Sequence, residues 1–259
     1  IVFGDWSSDV CSSDLLAYEK WFYNQMNEVR VPTNEYRSII SEKGIVNPKV
    51  GVFKRGIETE VFRPLQDDKV FLRKWQCCTG GITLLYSGRV SADKSLDVLV
   101  SAYKILVKKF PALNLVVAGS GPYLSAMQDS LKGYSRAVFT GSMNRYELVE
   151  VYNAADYFIF PSVTDTFGMV ILEALACGLP SIVSDKGGPK EVIIPGHTGF
   201  VVKDQTIDAW VNAIWSAISF MASNPEQYKQ MRAECRESVQ SKGNWEEVLE
   251  DILGSRMIV

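Results

Sequence analysis

The chain has 259 residues, 47% hydrophobic and 22% charged, with a formal net charge of −3. This is ordinary globular composition with room for one large or two small domains, and it speaks against non-specific nucleic-acid binding. No apolar run approaches the roughly 20 residues of a membrane span. Cys11, Cys77, Cys78, Cys177 and Cys235 show no CxxC spacing and there is one histidine, His197. Neither a disulfide framework nor a zinc site is expected, and a reducing cytoplasm is the default setting.

Residues 5–15, DWSSDVCSSDL, are low in complexity and repeat Ser-Ser-Asp. They read as the in-frame translation of a short-read sequencing adapter. Residues 1–15 are therefore expected to be an artefactual or disordered N-terminus, with Cys11 an artefact, on a metagenomic fragment that resumes near Leu16. From Ala17 to Ile45 an amphipathic segment carrying Trp21, Phe22 and Met26 is followed by Val29–Val31, Pro32-Thr33 and a second helical pattern ending at Lys43-Gly44. Lys49–Phe53 reads as a strand leading into Arg55–Pro64, and 65–80 as a polar connector. Gly81 to Val202 then alternates apolar runs with helical patterns. Strands are predicted at Thr83–Ser87, Leu113–Ala118, Ala137–Thr140, Tyr157–Phe160, Ser181–Ser184 and Phe200–Val202. Helices are predicted around Val98–Lys108, Leu124–Leu131, Tyr146–Asn153 and Val170–Cys177, with a further short one at Pro189–Ile193. That order predicts an α/β fold with a doubly wound parallel sheet. Residues 205–240 look wholly helical, with Trp210, Ile214, Ile218 and Met221 on one face, and Asn244-Trp245 begins a last helix.

Three strand ends carry notable residues. The first closes in Gly88-Arg89-Val90, with Lys94 at the start of the next helix, so two cations sit where a diphosphate of about two negative charges could be held. The second runs into Gly119-Ser120-Gly121-Pro122, which reads as a tight turn or as one that leaves room for a nucleotide; the full Gly-x-Gly-x-x-Gly is absent because position 124 is Leu. The stretch 156–185 reads strand, loop, helix, strand. Thr164, Asp165 and Thr166 offer oxygens at the helix start, where the amides of Thr166, Phe167, Gly168, Met169 and Val170 are placed to attract an anion. Glu173 stands in a helix that is apolar nearly all round, without a pairing residue at i±3 or i±4, and a carboxylate so placed needs a partner. Asp165 lies eight positions earlier, roughly 10 Å along a helix. Two carboxylates so spaced, with a helix N-terminus between them, suit a ligand with hydroxyls at both ends and phosphate in the middle, that is, a nucleotide sugar. Asp165 as a plain helix cap is the competing reading. Gly187-Gly188 and His197 read as turn residues, the glycines with the option of approaching a ligand.

Residues 161–180, PSVTDTFGMVILEALACGLP, resemble the signature of retaining family-4 glycosyltransferases of the GT-B fold. The resemblance covers roughly residues 16–255. It implies that Asp165 contacts the donor sugar and Glu173 the ribose; the family's first acid is usually Glu, so Asp165 is a departure. Arg89 and Lys94 match the pair that binds the donor diphosphate and stabilises the leaving group. Thr140-Gly141-Ser142 is similar to the loop that reads the base edge. The implied catalytic residues are Arg89, Lys94 and Asp165. The implied donor-binding set is Gly88, Gly119, Gly141, Thr166, Phe167, Gly168, Met169, Val170 and Glu173.

The resemblance also implies domains: 16–48 as a remnant of the acceptor domain, 49–240 as the nucleotide-sugar-binding domain and 241–259 as a crossover helix. Arg55–Pro64 is similar to the family's interdomain segment, whose Gly-containing turn sits near the donor, and equally fits an ordinary turn with a buried Phe62. The expected activity is transfer of a hexose from a nucleoside diphosphate sugar to a hydroxyl of a saccharide or lipid-linked acceptor, with retention of configuration. The expected setting is the cytoplasm, peripheral to a membrane if the acceptor is a lipid. No metal or cofactor is expected, since no Asp-x-Asp stands beside the site. With most of the acceptor domain missing, the chain is expected to be inactive alone. A nucleotide-sugar epimerase or hydrolase of the same fold, and a non-catalytic nucleotide-binding module, stay open.

Overall fold

The computed structural model describes residues 11–45, 50–53, 55–68, 70–75, 80–240 and 243–253. Asp5–Val10, Lys49 and the Cys77-Cys78 pair lie outside the described residues. The chain divides into two compact units, residues 1–54 and 55–259.

The first unit contains helix α1 (Cys11–Asn24), strand β1 (Val29–Val31), helix α2 (Asn34–Glu42) and strand β2 (Val50–Val52). Cys11–Leu15, the end of the segment set apart in the sequence, form the beginning of α1 rather than a disordered stretch. Thr33, almost fully buried, caps α2 by accepting from the Tyr36 amide at 3.3 Å. β1 and β2 pair in parallel, with Val29 opposite Val50 and Val31 opposite Val52. The strand read as the start of the second domain therefore belongs to the first unit.

The second unit is built on six parallel strands: β3 (Thr83–Ser87), β4 (Asn114–Ala118), β5 (Ala137–Gly141), β6 (Tyr157–Phe160), β7 (Ser181–Ser184) and β8 (Gly199–Val202). Their spatial order is β5-β4-β3-β6-β7-β8. All residues of β3, β4, β6 and β7 are buried, as expected for parallel strands covered on both faces, and this is why each reads as an unbroken apolar run. The helices are α3 (Val70–Lys74), α4 (Leu96–Lys109), α5 (Leu124–Ser130), α6 (Arg145–Ala154), α7 (Met169–Ala176), α8 (Ile207–Ser223), α9 (Pro225–Gln240) and α10 (Trp245–Leu253). Residues 188–191 form a 3-10 turn where a short helix was expected.

Two corrections concern helices. α3 lies inside the stretch read as a polar connector, and its Phe71 is fully buried where α3 packs on α6. The stretch read as one helix over 205–240 is two, because Pro225 cannot continue α8 but suits the first turn of α9. The break lets α8 pack on α4 while α9 packs on α7. Among the described residues no helix is long and apolar enough to cross a membrane.

The strand order reverses between β3 and β6, and Leu84 pairs with Tyr157 across that seam. In an open α/β sheet the crevice outside the strand C-termini at such a switch point is where ligands bind.

Candidate functional site

The crevice is held together by backbone contacts between successive strand ends. The amide of Gly88 donates to Ala118 (2.9 Å), that of Gly119 to Gly141 (2.8 Å) and that of Val90 to Ser120 (2.9 Å). A side chain at Gly119 would place its Cβ 1.9 Å from the Gly88 carbonyl oxygen, so the close approach of these two turns requires glycine there. Tyr86, fully buried on β3, donates its hydroxyl to the Arg89 carbonyl at 2.7 Å and stacks on Phe160. Burial, then the nearby Asp165 and Asp93 charges, hold the phenol well above the ordinary tyrosine range, so it stays a donor.

Asp165 does two jobs at once. Its Oδ1 accepts from the amides of Phe167 (3.1 Å) and Gly168 (2.7 Å), while Oδ2 lies 3.1 Å from Lys94 Nζ. Lys94 is largely buried and also stands 3.8 Å from Asp93. It ends a 3-10 turn, Ala92–Lys94, one step before α4. The sequence put Asp165 in a polar loop at the helix start but measured its distance to Glu173 along a helix; α7 begins only at Met169, after Gly168 turns the chain at φ 85°, so the stretch between the two acids is not one continuous helix. Gly187 and Gly188 do not reach the crevice wall. Gly188 donates to the Asp165 carbonyl (3.1 Å), and a Cβ on it would fall 2.2 Å from the Thr166 carbonyl oxygen. They brace the loop that carries Asp165.

Two cavities adjoin along the crevice. The first, about 420 Å³, is lined by Arg55, Tyr86, Gly88, Arg89, Asp93, Lys94, Phe160 and Asp165–Val170. The second, about 390 Å³, is lined by Ser87, Gly88, Arg89, Ala118, Gly119, Ser120, Ser142, Met143, Leu148, Val170 and Glu173. Gly88, Arg89 and Val170 belong to both walls. Gly141 lines neither; the next residue, Ser142, does, with its hydroxyl 2.7 Å from that of Ser120. The start of α7 faces the first cavity through Gly168, Met169 and Val170, adding the positive end of the helix dipole.

The partner that Glu173 needs comes from α6. Tyr152 donates its hydroxyl to Glu173 Oε2 at 2.9 Å. Burial is nevertheless the larger influence and raises the Glu173 carboxyl above the ordinary glutamate range. Glu173→Gln should accordingly stabilise the fold. Because the folded value is raised, wild-type stability is undiminished below the unfolded value, near 4.3, and is lost as pH rises through the folded one. The variant should melt above wild type at pH 7, and the gap should close below about pH 4.3. Scanning calorimetry at several pH values checks this; a gap that ignores pH would show that ionisation of Glu173 is not its source.

Sequence reading passed over Tyr86, Arg55, Met143, Leu148 and Tyr152. Tyr86 and Tyr152 sit among core residues, and what marks them is a phenol near the C-terminal end of a strand or helix, too common a signal to single them out. His197, in its turn, lies 3.0 Å from Glu234 on α9, beside a separate hollow with Glu237 and Ser238.

The profile of the family described as glycosyl transferases group 1 matches residues 70–238, more than half of the chain. A GDP-mannose-dependent alpha-mannosyltransferase of Mycobacterium tuberculosis is 29% identical over 207 residues, covering 80% of this chain and 50% of that protein. A D-inositol 3-phosphate glycosyltransferase of Mycobacterium bovis is 27% identical over 86% of this chain and 46% of its own length. The chain thus spans about half the length of these curated relatives. Anabaena HepE, solved with UDP and glucose, superposes with a TM-score of 0.81 over 98% of this chain and 69% of its own, at 17% identity, and so shares the fold. With more than half of its length matched by the family's profile, the chain belongs to the glycosyl transferases group 1 family.

Proposed function

We propose that this chain is the donor-binding part of a retaining glycosyltransferase that moves a hexose from a nucleoside diphosphate sugar to an acceptor hydroxyl. One observation carries the reading: two adjoining cavities at the switch point share the cation Arg89, with Asp165 in the wall of one and Glu173 in that of the other. The ribose would meet Glu173, whose Oε2 is already held by Tyr152. The diphosphate would lie across the shared wall, and the hexose would enter the first cavity against Asp165. As the anomeric C–O bond breaks, charge grows on the departing diphosphate; Arg89, Lys94 and the α7 N-terminus are placed to offset it. Relatives named for GDP-mannose dependence and for glycosyl transfer support a sugar-nucleotide donor. Acceptor binding and turnover are proposed for the longer protein that also carries a complete second wall, since transfer needs the acceptor hydroxyl brought to the anomeric carbon with water excluded. We place that protein in the cytoplasm, with a saccharide or lipid-linked acceptor.

Asp165→Asn tests the assignment, because an amide keeps an oxygen for the Phe167 and Gly168 amides while losing the charge. In thermal-shift titrations across UDP-, GDP- and ADP-sugars and the matching nucleoside diphosphates, the diphosphates should bind as well as to wild type. The preferred sugar conjugate should bind about tenfold more weakly, the loss of one hydrogen bond to a charged group. Equal losses for both ligands would reduce Asp165 to a turn cap. No binding of any conjugate by wild type would remove the donor reading.

A further inference from the structure

Tyr152 is absent from the walls of both cavities. Yet it supplies the one hydrogen bond that the Glu173 carboxylate accepts among the described residues, to Oε2 at 2.9 Å. Glu173 is half-buried and lines the second cavity, and its other oxygen, Oε1, is not sealed off from solvent. Arg145, whose charge acts on Glu173 from the start of α6, is already paired with Glu58 through two bonds of 2.8 and 3.0 Å. The carboxylate is therefore answered by a phenol on one side and open to the cavity on the other.

The phenol is firmly placed. Tyr152 is fully buried, with the rings of Phe158 (5.8 Å) and Phe62 (6.3 Å) edge-on to it. A reciprocal cap fixes the start of its helix. Asn144 accepts from the Tyr146 and Glu147 amides at 3.0 and 3.1 Å, and Glu147 accepts from the Asn144 amide at 2.9 Å. Leu148, one turn before Tyr152 on the same face of α6, lines the second cavity. This face thus meets the crevice with an apolar contact at one turn and a hydroxyl, one carboxylate removed, at the next. A glutamate has much rotamer freedom to lose on meeting a ligand, and one oriented beforehand loses less. Ionised, the carboxylate only accepts; with Oε2 engaged by Tyr152, Oε1 offers the cavity lone pairs, which call for a hydroxyl donor.

We propose that Tyr152 is the positioning residue for recognition of the nucleotide's ribose. It orients Glu173 so that Oε1 accepts from the ribose hydroxyls, and so sets the preference for a ribonucleotide over one that lacks them. The inference rests on the donor reading above, which puts the ribose against Glu173.

The test is calorimetric titration of the full chain at about pH 8, above the ordinary glutamate range. The ligands are UDP, GDP and their 2′,3′-dideoxy counterparts, the preferred base being set by wild type. Wild type should favour the ribose form by about tenfold or more, the worth of one hydrogen bond to a charged group. Tyr152→Phe should bind the ribose form about three- to tenfold more weakly, the cost of ordering a free glutamate, and the dideoxy form within about twofold of wild type. In a Glu173→Ala background, adding Tyr152→Phe should change the ribose form by less than about twofold, because the phenol acts through the carboxylate. Equal losses of both forms in Tyr152→Phe, or an unchanged affinity for the ribose form, overturn the proposal. So does a full Tyr152→Phe effect in the Glu173→Ala background. If Tyr152→Phe does not fold, Glu173→Asp decides it. One methylene shorter, that carboxylate cannot keep the phenol and the ribose together, and an undiminished ribose preference overturns the proposal. Wild type that binds UDP or GDP without favouring the ribose form overturns this inference alone, whereas wild type that binds neither removes the donor reading as well.

Discussion

Arg89→Ala should weaken binding of a nucleoside diphosphate by one to two orders of magnitude while leaving the melting temperature unchanged. The Arg89 side chain is exposed in the crevice, and among the described residues no carboxylate pairs with it, so the fold has little to lose. The ligand has much to lose. A guanidinium can offer a phosphate two parallel hydrogen bonds, and one bond to a charged group contributes about 1.5–3 kcal/mol. At about 1.4 kcal/mol per factor of ten, the range of expected losses runs from tenfold to somewhat over a hundredfold. Arg89→Lys should recover part of this through charge alone. Titration with UDP and GDP checks it, and wild-type affinity in Arg89→Ala would take Arg89 out of the site.

Gly119→Ala should be among the most damaging small substitutions in the second unit, alongside Gly81→Ala and Gly199→Ala, which meet the same 1.9 Å approach. Its Cβ would stand 1.9 Å from the Gly88 carbonyl oxygen, and Gly119 has φ 149°, a conformation that side chains resist. Overpacking costs about 1–3 kcal/mol and backbone strain a similar amount, so the sum is roughly 2–6 kcal/mol. At about 2–4 °C per kcal/mol for a domain of this size, the melting temperature should fall by about 10 °C. Gly133→Ala is the control, with φ 92° but nothing within 4 Å of the added Cβ. It should cost the strain alone. Equal losses in the two variants would show that the approach of the β3 and β4 turns is looser than the distances indicate.

The strands were legible because a parallel strand buried on both faces leaves an unbroken apolar run, as at Tyr157–Phe160 and Ser181–Ser184. What escaped was set by distance in space or by brevity. α3 is one turn of helix in a polar stretch, too short to show a period, and it forms because Phe71 is buried against α6. Gly168 in the left-handed region separates the Asp165 loop from α7 and so breaks the helical spacing to Glu173, and a glycine near a helix start does not announce its φ. Tyr152 reaches Glu173 from 21 residues away. Arg89, Lys94 and Asp165 line the first cavity because each stands in a loop or turn that follows a strand end, while Glu173 reaches the second from within α7. Gly141 is set back from the wall at the end of edge strand β5, and the next residue, Ser142, reaches it.

The two ends of the crevice are shaped by loops from different parts of the chain. The turns after β4 and β5, with Ser120, Ser142 and Met143, shape one end, and the loop after β6, with Asp165 to Gly168, shapes the other. Changes far apart and without shared partners usually add in energy, whereas neighbours do not. On the donor reading proposed above, recognition of a base and recognition of a sugar would therefore drift separately, each by altering its own loops. Arg89, Gly88 and Val170, common to both walls, are the positions at which either kind of drift would disturb the other.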